Sequence, residues 1–146
     1  MKNILLPLFL ASSLLLTGCA TQGSYGNFSQ MEATQNQDFL VTDAMKQMVL
    51  LYPPAHTRLA LQHNPTDHFG LSLVTNLRAR GYAVVEYAEE LKAAESNANA
   101  FSYLVDTVDS NLDRVTLNIG KKSINRAYLL TPTGDYSPAG DWSKKE

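Results

Sequence analysis

One cysteine, Cys19, occurs in the 146 residues, and it closes a short apolar run at the N-terminus. A single thiol allows no intramolecular disulfide. Exported proteins often rely on such staples, so this chain must hold its fold with a packed core. Lys2 supplies a small positive start, and the apolar run extends over 13 residues from Ile4 to Leu16, interrupted by Pro7, Ser12 and Ser13. A helix needs roughly 20 apolar residues to cross a bilayer. The run is too short for that and reads as a secretory signal peptide.

The segment Leu16-Thr17-Gly18-Cys19 ends this run without the usual small-x-small cleavage pattern. It resembles the lipobox of bacterial lipoproteins; the alternative is an ordinary signal peptide with an incidental cysteine. The resemblance implies that residues 1–18 are removed and that Cys19 becomes the lipid attachment site, acylated on its sulfur and its new amine. One acyl chain holds a protein to a membrane only marginally, whereas several hold it stably. Ala20 follows the cysteine. Inner-membrane retention in such lipoproteins goes with Asp at that position, so Ala20 implies sorting to the outer membrane. Covalent acyl chains on Cys19 are the only prosthetic groups expected.

The chain from Cys19 to Glu146 has 128 residues, enough for one domain. It carries 11 basic and 14 acidic side chains, a formal charge of −3. No clustered basic stretch offers a footprint for nucleic acid. Lys121-Lys122 and Lys144-Lys145 are short pairs, read as solvated.

Residues 19–36 are rich in Gly, Ser, Thr, Asn and Gln and read as a flexible tether. Tyr25 and Phe28 are its aromatic exceptions, read either as contacts for a partner or as incidentally placed. Residues 37–146 form the expected domain. Leu40, Ala44, Met48 and Leu51, with Val41, Met45, Val49 and Tyr52 alongside, predict a helix over Asp38–Leu51, ended by Pro53-Pro54. Asp38 and Asp43 fall in its N-terminal half, where the dipole favours acid. Residues 57–62 alternate as a strand. Phe69, Leu73, Val74 and Leu77 predict a second helix, with Thr66 as its N-cap and Gly81 as its C′ residue. Residues 82–87 read as a strand, and 88–99 as an exposed polar excursion. Phe101 to Val108, Arg114 to Ile119 and Ser123 to Leu130 alternate as three hairpin-linked strands. The tail from Thr131 reads as loop; Trp142 either plugs an edge of the domain's own core, the favoured reading, or docks on a neighbour. The expected fold is α+β: a two-layer sandwich with two helices on a mixed or antiparallel sheet of about five strands.

No constellation for catalysis appears. His56, His63 and His68 have no Cys or carboxylate partners at metal-ligand spacing and read as solvated or cap-adjacent. Glu89-Glu90 and the Asp106, Asp109 and Asp113 group read as solvated carboxylates rather than a glycosidase pair. No nucleophile elbow or phosphate-cradling glycine loop is present. The chain reads as a non-enzyme.

Across the chain, several segments combine: Tyr25-Gly26-Asn27-Phe28, Leu51-Tyr52-Pro53-Pro54-Ala55-x-Thr57, Phe69-Gly70, Leu77-Arg78-Ala79-x-Gly81-Tyr82-Ala83-Val84, Arg126-Ala127-Tyr128 and Pro138-Ala139-Gly140-x-Trp142. With the lipobox, they resemble the TrbH family of conjugal transfer lipoproteins. That resemblance implies a non-catalytic part of a type IV secretion system for mating-pair formation. It implies other transfer proteins as partners and the periplasmic face of the outer membrane as the location. By fold-level analogy the element order is similar to the ring-building domains of secretins and to the DotD lipoprotein, which implies a subunit repeated around a ring. The alternatives are a monomeric lipoprotein that recruits or activates a cell-wall enzyme, and a surface-exclusion lipoprotein. The strand from Ser123, through Asn125 and Arg126 to Tyr128, is the expected free sheet edge for assembly, because the loop-like tail offers no further strand to cover it; the alternative is that the tail itself, with Trp142 as its plug, folds over that edge.

Overall fold

The computed structural model describes residues 25–30, 34–88 and 97–146. The signal peptide, the lipobox, Cys19 and Ala20 lie outside them, as does most of the polar excursion. Two helices pack with an eight-stranded mixed sheet. The elements are β1 (Gly26–Asn27), α1 (Thr34–Leu51), β2 (Arg58–Leu61), α2 (His68–Ala79), β3 (Ala83–Val85), β4 (Asn99–Asp109), β5 (Leu112–Ile119), β6 (Lys122–Leu130), β7 (Tyr136–Pro138) and β8 (Ser143–Lys145). The five expected strands are present, and three short ones join them.

The order across the sheet is β3-β2-β4-β5-β6-β7. The strands β4, β5 and β6 form the antiparallel meander that their alternation predicts. Parallel pairing of β2 with β3 requires a crossover, which α2 supplies. Along the meander, one face carries Phe101, Tyr103 and Val105 of β4, Val115, Leu117 and Ile119 of β5, and Ile124 and Tyr128 of β6, all buried. They form one core with Leu40, Val41, Ala44, Met45 and Met48 of α1 and Phe69, Leu73, Val74 and Leu77 of α2. The other face is polar: Ser102 lies opposite Asn118 and Asn118 opposite Ser123, while Asp106 and Arg114 pair across strands.

The end of α2 follows the sequence signal closely. Gly81 has φ +89, its N–H bonds the Arg78 carbonyl, and the Tyr82 N–H bonds the Leu77 carbonyl. That pair of bonds is the Schellman arrangement, which needs a left-handed residue at this position. The start shifts by one residue. The N-cap is Asp67 rather than Thr66, with its carboxylate accepting from the Gly70 N–H at 2.9 Å. Either residue type can cap; Asp67 is chosen because its second oxygen has a further partner across the core. Helix α1 begins at Thr34, earlier than expected, and Leu51 is 37% exposed rather than in the stripe.

Two readings are corrected at the sheet edges. Residues 25–30 are not loose: β1 pairs in parallel with β4, with Gly26 opposite Leu104, and the Phe28 N–H bonds the Val105 carbonyl at 2.7 Å. The tail after Thr131 is not all loop. Strand β7 pairs with residues 128–130 of β6 and β8 with residues 123–125, so β6 is not a free edge. Both flanks of the meander are thus covered by two short strands set end to end: β2 and β1 along β4, β8 and β7 along β6. The three unexpected strands, β1, β7 and β8, are two or three residues long and mostly polar. Backbone pairing holds them, so side-chain alternation gives no sign of them.

Candidate functional site

The side chains that join the layers are tyrosines and aspartates. On α2, the Tyr103 hydroxyl donates to Asp67 Oδ2 at 2.6 Å. On α1, the Tyr128 hydroxyl and Arg126 Nη1 both donate to Asp43 Oδ2, at 2.8 and 2.9 Å. In the sheet, Tyr136 and Thr107 donate to buried Asp113. Burial raises the pKa of Tyr103, Tyr128 and Tyr136 above the ordinary tyrosine value, and the bonds to the aspartates raise them further. Each hydroxyl therefore keeps its proton and acts as a donor. These are structural latches: each carboxylate is occupied by donors from its own fold.

This placement redistributes the residues singled out in the sequence. Tyr128 is fully buried, ringed edge-on by Phe39 and Trp142. Arg126 faces the same layer and also donates from Nε to the Gly140 carbonyl at 2.7 Å. Neither side chain lies on an open edge. Ser123 and Asn125 pair with Lys145 and Ser143. Asp43 is no helix-dipole carboxylate; it lies in mid-helix and serves the Arg126 and Tyr128 latch. Trp142 does pack on the core of its own chain. Tyr25 and Phe28 remain 41% and 58% exposed on the docked N-terminal segment.

Among the histidines, His63 departs from the solvated reading. Its ring is stacked 5.3 Å from Tyr25 and lies 4.8 Å from Tyr103, and both ring nitrogens are buried without a hydrogen-bond partner among the described residues. Burial lowers its pKa, and the nearby Asp67 charge opposes that shift. His68 is exposed and bonds Asp38 at 2.9 Å. Among the described residues, no group of three or more His, Cys, Asp or Glu could hold a metal ion.

The open face carries a cavity of about 400 Å³ at the β5–β6 turn. Its lining includes Ser102, Asn118 and Ser123, with Lys121, Lys122 and Lys145 on one side and Tyr25 and Gln62 among the rest. No local signal marks this site, because its parts come from β4, β5, β6, β8 and the N-terminal segment.

Among the described residues, no helix is long and apolar enough to cross a membrane. Neither the curated proteins nor the solved structures gave a match to this chain. The conjugal transfer protein TrbH family matches residues 22–146, and the chain belongs to that family.

Proposed function

We propose that this protein is a lipid-anchored structural subunit of a conjugative type IV secretion complex. It is held at the periplasmic face of the outer membrane through Cys19 and assembles with other transfer proteins, in several copies around a ring. Membership of the conjugal transfer family carries this reading. The lipobox before Cys19 and the alanine after it support the anchor and its sorting. The latches support a structural role, since their polar groups are spent on joining layers. With the β6 edge occupied, assembly contacts fall to the exposed aromatics Tyr25 and Phe28 and to the sheet's end strand β3, which among the described residues pairs only with β2.

The test is Cys19→Ser in donor cells. The variant should take up no labelled palmitate and leave the membrane fraction, and DNA transfer should drop to background. The wild-type protein should co-purify with other transfer proteins in a large assembly. Palmitate uptake by the variant would refute the anchor. Transfer at the wild-type frequency, with the variant soluble and abundant, would refute the need for the anchor in conjugation.

A further inference from the structure

The two lysine pairs at 121–122 and 144–145 are far apart in sequence, and the chain as a whole is acidic. The fold brings them together. Pairing of β8 with β6 sets Lys145 opposite Ser123, next to the turn that carries Lys121 and Lys122. Four of the seven lysines thus share one corner. Lys122 and Lys144 both reach Glu146, at 3.6 and 2.7 Å. Lys144 falls at the register of core-facing Ile124, while Lys121, Lys122 and Lys145 line the cavity, and the Glu146 side chain offsets only part of their positive charge.

This corner walls the 400 Å³ cavity. Its floor is a single cross-strand row: Ser102 opposite Asn118, Asn118 opposite Ser123, Ser123 opposite Lys145. The row offers hydroxyl and amide groups, with the Asn118 amide already donating to Ser102 Oγ at 3.0 Å. Tyr25 and Gln62 add an aromatic ring and an amide to the lining. The volume suits a small organic ligand rather than a bare ion.

We propose that this cavity binds a phosphate ester. Three lysines supply mobile point charges, and serine and asparagine supply neutral donors. Planar carboxylates are better matched by the rigid fork of arginine, which is absent from the lining among the described residues. The aromatic and amide groups suit the polyol part of such an ester. Two sources share this chemistry: a soluble phosphate ester and the headgroup of an anionic phospholipid. The headgroup is the better fit if Cys19 is acylated, a step that rests on the anchor reading above. Tyr25 is six residues from Cys19, an extended reach of about 20 Å from the membrane surface.

The test uses a chain that starts at residue 19 and carries Cys19→Ser. It keeps every described residue and has no acyl chain, so its outcome is independent of the anchor. Two probes are applied: glycerol 3-phosphate, followed by backbone amide shifts, and vesicles of phosphatidylcholine with or without phosphatidylglycerol, followed by co-sedimentation. The expected result is saturable shifts at Ser102, Asn118, Gly120 and Ser123. Retention on the anionic vesicles alone identifies the headgroup as the source; shifts without retention identify a soluble ester. Either response should weaken at least ten-fold in Lys121→Gln/Lys122→Gln/Lys145→Gln. It should persist in Arg78→Gln/Arg80→Gln, which removes surface charge elsewhere. Circular dichroism checks that both variants are folded. Silence from both probes, or equal weakening in the two variants, overturns the proposal.

Discussion

The two helices are fastened to the sheet by the same chemistry, yet the fastenings are built to fail differently. On α2, Asp67 is both the N-cap and the acceptor for Tyr103, and the tyrosine ring lies across Gly70. On α1, Asp43 is in mid-helix and accepts from Tyr128 together with the charged Arg126, both partners of that ion pair being less than one-fifth exposed. The α2 latch is limited by space. The α1 latch is limited by charge. A tyrosine–aspartate bond is worth roughly 1.5–3 kcal/mol when the acceptor is ionised, but what surrounds it sets the cost of each lesion.

The sharpest break of this comparison is Gly70→Ala. A Cβ at Gly70 would sit 1.9 Å from the Tyr103 hydroxyl and 2.3 Å from the ring carbon that bears it. Tyr103 is buried and held at its far end, so it cannot swing aside. The expected loss is about 3 kcal/mol or more, at the upper end of overpacking costs. This reverses the usual trend, since alanine favours a helix interior over glycine by about 1 kcal/mol. Measured by chemical denaturation in a Tyr103→Ala background, the same change should cost little or even stabilise. Equal costs in the two backgrounds would show that the ring is not the obstacle.

On the α1 side, Asp43→Ala leaves a largely buried guanidinium and a buried phenol without their shared acceptor. The expected loss is about 2–3 kcal/mol, below the range for fully buried pairs because Arg126 keeps its bond to the Gly140 carbonyl. Asp43→Asn retains an acceptor and should cost less. If the two substitutions shifted the denaturation midpoint equally, charge would not be what distinguishes this latch.

The same contrast explains what could be read from the sequence. Local periodicity exposes the helix stripes, the meander and the Gly81 stop, because each is written within a dozen residues. The latches span separations of 36 and 85 residues. Nothing local ties Asp67 to Tyr103, and Gly70 looks like an ordinary helix glycine until the ring is seen on it. Strands β1, β7 and β8 were illegible for another reason: segments such as Gly26-Asn27 and Ser143-Lys144-Lys145 carry no apolar alternation. Without β7 and β8 the tail leaves β6 open, which is why Tyr128 reads as an edge residue and the two lysine pairs as solvated and unrelated.

A milder lesion acts on neither latch and calibrates both. Gly81 has φ +89 and, among the described residues, nothing lies within 4 Å of where a Cβ would be. Gly81→Val therefore strains only the backbone, and a cost of about 1–2 kcal/mol is expected. A denaturation midpoint unchanged from wild type would mean that the Schellman turn relaxes without penalty. A loss as large as that of Gly70→Ala would mean that α2 is limited by its end rather than by the ring.

The smallest expected effect is a slope with pH, and it reports on the α2 side alone. His63 packs between Tyr25 of the N-terminal segment and Tyr103 of the latch, with Asp67 as the neighbouring charge. Burial lowers its pKa below 6.5 in the folded state, so the unfolded chain takes up the proton first. Stability from this group is present above 6.5 and is lost as pH falls toward the lower folded value. The protonated ring would carry a charge into a place where neither nitrogen has a partner. Denaturation midpoints at about pH 8 and about pH 5.5 should therefore differ more in the wild type than in His63→Phe, which keeps an aromatic ring between the two tyrosines. Asp43→Asn should leave the His63 part of the difference intact, because α1 has no part in that stack. If His63→Phe kept the full difference, the pH dependence would come from carboxylates, and the histidine would be only a spacer between the N-terminal segment and the core.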